Sequence, residues 1–466
     1  MILLIFTCVL WTGSPGGESR PYLEAANEAL RWLRSCALPQ KVGKAWPVDP
    51  RQPGSLSTNL YDGVPGVVLF FLDASRLTGD KRYLADAREG ADWLVSQVEA
   101  ISLKAPAADA ARVEGEGEMV ACGLYEGLAG TGFVLDKVFA ACGEEKYRKA
   151  AIHCLDVISH RAKEAGSGVE WEDVTDIIRG SAGTGLFLLY AARDMGRGDA
   201  LELARRVGAR LLERGIPEAG GTKWPMSATY PRLMPNFSHG AAGVSYFLAE
   251  LGGAAGERAF LDAAVSGATY LQAVARTEDE GCLIFHHEPG GEDLYYLGWC
   301  HGPVGTSRLF LLLGRLAEPE EWMEWVQRGA HSVLKSGIPE KPTPGFWNNV
   351  GQCCGSAGVV EFFLNLYLLE KEPEYLRFAK HMADTLIKYA TRDEKGWRWP
   401  QAEHRVRPEE LIAQTGYMQG AAGIGMCLLH LDAVEQWERV EQGAAEVGRA
   451  ATRPDWLRLP DDPFGK

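Results

Sequence analysis

The chain is poor in basic charge. Its 48 Lys and Arg stand against 62 Asp and Glu, a formal net charge of −14 over 466 residues, and no basic cluster offers the phosphate contacts that a nucleic-acid partner requires. Long apolar runs are also missing. The stretch Met1 to Trp11 (MILLIFTCVLW) is about half of the roughly 20 residues that a membrane-spanning helix needs, so no stable membrane insertion is expected. Between residues 20 and 450 no segment is rich in Pro, Ser or charge. Length alone suggests about three domains, but the sequence gives no place to cut. No two of the ten cysteines are separated by two to four residues, which excludes a zinc knuckle built from one local loop.

The start of the chain carries an expectation of its own. Met1 to Ser14 resembles the core of a signal peptide, with Thr12, Gly13 and Ser14 as small residues near a cleavage point, but it lacks a basic leading segment. Without Cys8, nine cysteines remain, an odd number scattered through helical stretches. That pattern predicts a reduced, cytoplasmic chain rather than a disulfide framework, with export as the alternative if the segment is a true signal. The expected division is a signal-like or disordered segment over 1–18, one domain over 19–450 and a C-terminal tail over 451–466.

What the sequence does contain is a repeat. A pattern X-Gly-x-x-Gly occurs as YDGVPG, YEGLAG, IRGSAG, SHGAAG, CHGPVG, CCGSAG and MQGAAG, with first glycines at 63, 127, 180, 240, 302, 355 and 420. Each copy leads into an apolar segment such as VVLFFLDASRL or VVEFFLNLYLL, which reads as a helix buried on every side. Turn signals follow (Thr78-Gly79-Asp80, Cys142-Gly143, Gly252-Gly253, Glu370-Lys371-Glu372), and then amphipathic segments with apolar residues three and four apart, as from Tyr375 to Leu386. Seven inner and seven outer helices alternating in sequence predict an all-α fold, closed as an α/α toroid. A monomer is expected.

Such a ring gathers the motifs at one end. The residues before the first glycines, Asp62, Glu126, Arg179, His239, His301, Cys354 and Gln419, would then face a common centre, with Tyr61, Tyr125, Ile178, Ser238, Cys300, Cys353 and Met418 one place earlier. Cys353 follows Cys300 by 53 residues, yet neighbouring repeats lie side by side, so these cysteines can share one metal ion. The stretch Trp397 to Pro408 (WRWPQAEHRVRP) reads either as a lid over the ring or as a solvated connection with ion pairs. His286 and His287, in the apparent short strand LIFHHE, are expected to be structural.

The motifs WCHG (Trp299–Gly302) and Cys353-Cys354-Gly355, with SHGAAG around His239 and DIIRGSAG from Asp176, make the chain resemble the lanthionine synthetase C-like (LanC-like) family from about residue 20 to 440. The resemblance implies a seven-hairpin toroid and addition of a cysteine thiol to a dehydrated residue of a peptide, giving a thioether. It implies Zn2+ held by Cys300, Cys353 and Cys354, the last standing where the family has a histidine; a Cys-Cys-Gly variant also occurs among relatives of broad substrate tolerance. Three protein ligands with an open position suit a catalytic zinc, which keeps a bound thiol deprotonated. It further implies proton handling by His239, with Asp176 orienting it or holding substrate, and a supporting or substrate-contacting role for His301. The arginine that cyclases carry four residues before the first cysteine is Tyr296 here.

The expected partner is accordingly a dehydrated peptide or a small thiol. Two other readings stand beside this one: a non-catalytic zinc protein that binds a thiol or peptide, and a carbohydrate-active enzyme on the same toroid. The second would use two of Asp62, Glu126 and Asp176 as its carboxylate pair, but it has no use for three cysteines at neighbouring helix starts.

Overall fold

The computed structural model describes residues 19–103, 121–218, 220–317, 319–445 and 451–465; the signal-like segment of residues 1–18 lies outside them. Fourteen helices follow in order among the described residues: α1 (Pro21–Cys36), α2 (Val64–Thr78), α3 (Lys81–Glu99), α4 (Leu128–Cys142), α5 (Glu145–Arg161), α6 (Ser181–Asp194), α7 (Gly198–Arg214), α8 (Ala241–Ala255), α9 (Arg258–Val274), α10 (Pro303–Leu316), α11 (Pro319–Lys335), α12 (Ser356–Glu370), α13 (Pro373–Tyr389) and α14 (Ala421–Ala445). The even-numbered helices form an inner ring. Each of α2 to α12 pairs with the amphipathic outer helix that follows it, and inner neighbours pack side by side until α14 touches both α12 and α2. The outer partner of α14 is α1, from the opposite end of the described chain. The seventh outer helix therefore comes first in sequence: outer and inner helices alternate throughout, and α1 clasps the ring shut.

Helix boundaries follow from the glycines. Gly63, Gly127, Gly180, Gly240, Gly302 and Gly355 are the N-caps of α2, α4, α6, α8, α10 and α12. The second glycine of each motif has a packing reason. A Cβ on Gly305 would overlap the Trp299 carbonyl, and one on Gly358 the Gln352 carbonyl, because the loop six residues earlier lies directly against the helix start. Gly79 and Gly143 end α2 and α4 in the left-handed conformation (φ 74° and 72°), as helix stops commonly do. The Gly252-Gly253 turn signal is overridden: α8 continues through it and stops at Gly256, with Gly252 in close approach to Leu261 of α9.

The motif loops are joined by a closed belt of main-chain hydrogen bonds. Tyr61 N–H donates to the Tyr125 carbonyl (2.9 Å), Tyr125 to Ile178 (2.9 Å), Ile177 to Ser238 (3.1 Å), Ser238 to Cys300 (2.9 Å), Cys300 to Cys353 (3.0 Å), Cys353 to Met418 (3.1 Å), and Met418 to Tyr61 (2.7 Å). Buried backbone groups must find partners, and here each repeat satisfies the next. The belt fixes the register of all seven motifs at once.

Five two-stranded hairpins also occur among the described residues, β1–β2 (Leu38–Pro39, Lys44–Ala45), β3–β4 (Lys163–Ala165, Gly168–Glu170), β5–β6 (Ile216–Glu218, Gly221–Lys223), β7–β8 (Arg276–Glu278, Gly281–Leu283) and β9–β10 (Thr391–Asp393, Gly396–Arg398). They follow outer helices and carry little of the core. Past four of them a tryptophan turns inward: Trp46, Trp171, Trp224 and Trp399 donate Nε1–H to the carbonyls of Leu33, Ile158, Leu211 and Leu386, each thirteen residues back at 2.7–2.8 Å. Buried indoles need such acceptors, and outer-helix ends need donors.

The last described residues, 451–465, run into the ring. Trp456 and Asp461 are fully buried. Trp456 stacks on His430 of α14 (centroids 4.4 Å apart), the Asp461 carboxylate accepts from the Tyr125 hydroxyl at 3.0 Å, and the Asp461 carbonyl accepts from Arg308 at 2.8 Å.

Candidate metal centre

Cys300 ends the loop before α10, and Cys353 and Cys354 end the loop before α12. The belt bond between Cys300 and Cys353 holds these loops in contact, and Gly298 lets them approach: a Cβ there would lie 2.8 Å from the Cys354 backbone. The Sγ atoms of Cys300 and Cys354 are 2.8 Å apart and those of Cys353 and Cys354 are 3.4 Å apart. All three sulfurs lie within 4.8 Å of one another and are buried.

Electrostatics within the cluster are uneven. Hydrogen bonds from the Cys300 and Cys354 thiols hold Cys353 well below the ordinary thiol range, outweighing burial, with help from the Tyr61 hydroxyl and the His239 charge. Hydrogen bonds to its two neighbours, then burial, push Cys354 well up, while burial leads the upward push on Cys300. Three thiolates this close repel one another unless a cation lies among them. The donor set fits zinc, since a tetrahedral ion with bonds of about 2.3 Å holds its sulfurs roughly 3.8 Å apart.

His239 and Asp176 form the second group. His239 Nδ1 is 2.6 Å from Asp176 Oδ2, while Asp176 Oδ1 accepts the backbone N–H of Arg179 (3.0 Å) and Gly180 (2.8 Å). Asp176 therefore caps its own turn with one oxygen and orients the imidazole with the other. A carboxylate only accepts, so Nδ1 carries the proton, and Nε2 has no hydrogen-bond partner among the described residues. Burial opposes charge on His239, but the hydrogen bond and charge of Asp176, with Cys353 and Glu126 behind them, raise its pKa above the ordinary value. Its side chain is 31% exposed, so the free nitrogen is within reach of a ligand.

His301 lies close by but outside the sulfur cluster. Burial, then the neighbouring His286 and His239, hold it well below the usual imidazole range, so it is neutral. Its Nε2 is 3.5 Å from Ser238 Oγ, and its buried Nδ1 has no partner among the described residues. Its ring stacks on His286 at 4.0 Å, and Tyr296 stands edge-on to both, 4.4 Å from His286 and 5.6 Å from His301.

His286 thus belongs to the site surroundings, contrary to its reading as a residue of a structural strand. Only Leu283 of LIFHHE is in regular strand; the chain then turns so that Glu288 can pair with Leu233, in the loop leading to His239. No local spacing announces this. Tyr61, by contrast, was legible from the repeat register, and its hydroxyl reaches Cys353.

The segment 397–408 divides in two. Its front half is a buried wedge: Gln401 Oε1 accepts the N–H groups of Val350 (2.7 Å) and Gly351 (2.8 Å), just ahead of Cys353. Its rear half is exposed and carries the Arg407–Glu410 pair (2.9 Å).

The fold and the site together define a class: a closed α/α toroid with a three-sulfur cluster and a His–Asp pair at its motif end. The family model described as lanthionine synthetase C-like protein matches residues 54–442, and the chain belongs to that family. Among solved structures it is similar to nisin cyclase, at 18% identity over 81% of this chain and 89% of that one, with a TM-score of 0.57; this is a likeness of fold. Looser likenesses carry no further argument. They include an α-1,6-mannanase of Salegentibacter sp. (12% identity, 89% of this chain and 99% of that one, TM-score 0.48) and the cellobiose 2-epimerase of Spirochaeta thermophila (18%, 66% and 85%, 0.43). No described helix is long and apolar enough to cross a membrane.

Proposed function

We propose that this protein binds Zn2+ through Cys300, Cys353 and Cys354 and adds a thiol to the double bond of a dehydroamino acid, either within a peptide, giving a thioether ring, or from a small thiol. Zinc, when bound, supplies a means of keeping the incoming thiol deprotonated near neutral pH. The observation that carries the reading is the convergence of three buried sulfurs from adjacent repeats beside an oriented imidazole. His239, charged and with Nε2 free, donates its proton to Cα of the adduct. Asp176 holds the ring in that orientation and favours its charged form. The neutral, stacked His301 and His286 and the Tyr296 ring wall one side of the site and limit water around the reacting atoms.

Elemental analysis of the purified protein beside Cys353→Ala and Cys354→Ala tests the ligand set. Near-stoichiometric zinc in the wild type and its loss in both variants is the expected result. Zinc retained after Cys354→Ala moves the third ligand elsewhere, with His301 the first candidate. Thiol addition to a dehydroalanine peptide, followed by mass spectrometry, tests turnover; a zinc-loaded protein that gives no acceleration is a binding protein.

A further inference from the structure

Addition of sulfur to a dehydroamino acid leaves an electron pair that must go somewhere. As the C–S bond forms at Cβ, the C=C π pair moves toward the carbonyl, and negative charge develops on its oxygen until a proton reaches Cα. A donor aimed at that oxygen is worth a large factor in rate. By its resemblance to the family, Tyr296 stands where the cyclases carry an arginine, so the motif itself supplies no cation here.

Arg405 approaches the same place from another part of the chain. Its guanidinium is near enough for its charge to act on the Tyr296 hydroxyl and on His286 and His287. The segment that carries it is fastened on both sides. The Ala402 N–H donates to the Asn348 carbonyl (2.7 Å), Trp347 Nε1–H to the Ala402 carbonyl (2.8 Å) and Asn348 Nδ2 to the Pro408 carbonyl (3.0 Å). Trp347 in turn packs on Tyr296 with centroids 5.2 Å apart. Arg405 sits at the apex of this strap, half-buried. Its neighbours Arg398 and Arg407 are paired with Asp393 and Glu410 at 2.6 and 2.9 Å, whereas among the described residues Arg405 has no carboxylate partner. A guanidinium held without a counter-ion beside a hydroxyl and two imidazoles is placed for a ligand oxygen.

We propose that Arg405 is the oxyanion-binding residue of this site, taking from the strap before the last repeat the place that the motif arginine leaves empty at Tyr296. This rests on the thiol-addition reading above. Arg405 donates hydrogen bonds to the carbonyl oxygen as the enolate forms and keeps its own protons. The proton that restores the carbonyl comes from His239 to Cα, and the thiol proton has already gone to water.

The zinc-loaded full chain, with glutathione and an N-acetyl-dehydroalanine amide, gives the kinetic test. Arg405→Gln is expected to lower kcat by about 100- to 1,000-fold with zinc content unchanged and KM moved by less than about threefold. Arg405→Lys keeps a larger share of the rate, Arg407→Gln changes nothing, and adding Tyr296→Arg to Arg405→Gln restores at least about tenfold. Wild-type kcat in Arg405→Gln overturns the assignment. A second measurement does not need turnover: calorimetric binding of the nitronate of nitroethane, a planar delocalised oxyanion shaped like an enolate, should weaken at least about tenfold in Arg405→Gln. Equal binding, or none in either protein, overturns the role of Arg405. A zinc-loaded wild type that binds the nitronate through Arg405 yet never accelerates addition overturns the thiol-addition reading alone.

Discussion

At the residue scale the most informative contact is the one between His239 and Asp176. Asp176 favours the imidazolium, and burial disfavours it. With the Asp176 charge removed, burial is opposed only by the more distant charges of Cys353 and Glu126, so the His239 pKa in Asp176→Asn should fall below its wild-type value. If the charged ring is the proton donor, activity is present below the His239 pKa and is lost as pH rises through it. The alkaline limb of the kcat profile should therefore move to lower pH in Asp176→Asn, and His239→Asn should lose about 100- to 10,000-fold at every pH. An alkaline limb that stays in place would remove His239 from that step. The same scale explains the third cysteine. Cys354 faces Cys300 at 2.8 Å, and a sulfur there brings one more negative charge to a bound cation than an imidazole would.

At the scale of elements, the C-terminal segment is held by a buried charge cluster rather than by apolar contact alone. His430 Nε2 is 2.9 Å from Asp73 Oδ2, its Nδ1 is 3.0 Å from Glu361, and Asp73 Oδ1 accepts the Leu457 N–H at 2.9 Å. Burial works against the imidazolium, but Glu361 and Asp73 outweigh it and raise His430 to about 9. The folded value lies above the unfolded value near 6.5, so the contribution, on the order of 3 kcal/mol, is complete below pH 6.5. It fades between 6.5 and 9 and is absent above that. Thermal unfolding followed at pH 6 and pH 9.5 should show a lower Tm at the higher pH, and His430→Gln should be less stable at pH 6 and lose most of this difference. A wild-type Tm that is flat across the window would mean that His430 is neutral in the folded protein.

The whole molecule is a ring whose two ends are fastened by different means. The helix α1 closes the outer layer against α14, the backbone belt closes the motif end, and residues 451–465 fill the axis from inside. An open array of repeats can melt piecemeal, because each unit touches only its neighbours; a closed ring has no free end from which to fray. Helicity by circular dichroism and tryptophan fluorescence should therefore report one coincident transition. Leu33→Ala, at a fully buried position of the α1 clasp, should lower stability by about 2–5 kcal/mol without splitting that transition. Two separated transitions would contradict closure as the source of cooperativity.

The seven motifs were legible in the sequence because each is a local backbone requirement. A glycine must stand wherever a carbonyl six residues back lies against a helix start, as at Gly305 and Gly358, and an all-apolar segment must follow wherever a helix is buried on every side. The repeat also placed Cys300 beside Cys353, since adjacent repeats are adjacent in space. Local signals failed where packing set the outcome: the Gly252-Gly253 pair reads as a turn, yet α8 passes through it to Gly256. Nothing in the chain order announced that α1 would pair with α14, that Trp456 and Asp461 would fill the axis, or that His286 and Arg405 would reach Tyr296. Periodic constraints repeat along the chain and can be counted. Contacts between unlike segments depend on which surfaces remain uncovered once the ring has closed, and that is fixed only by the tertiary structure.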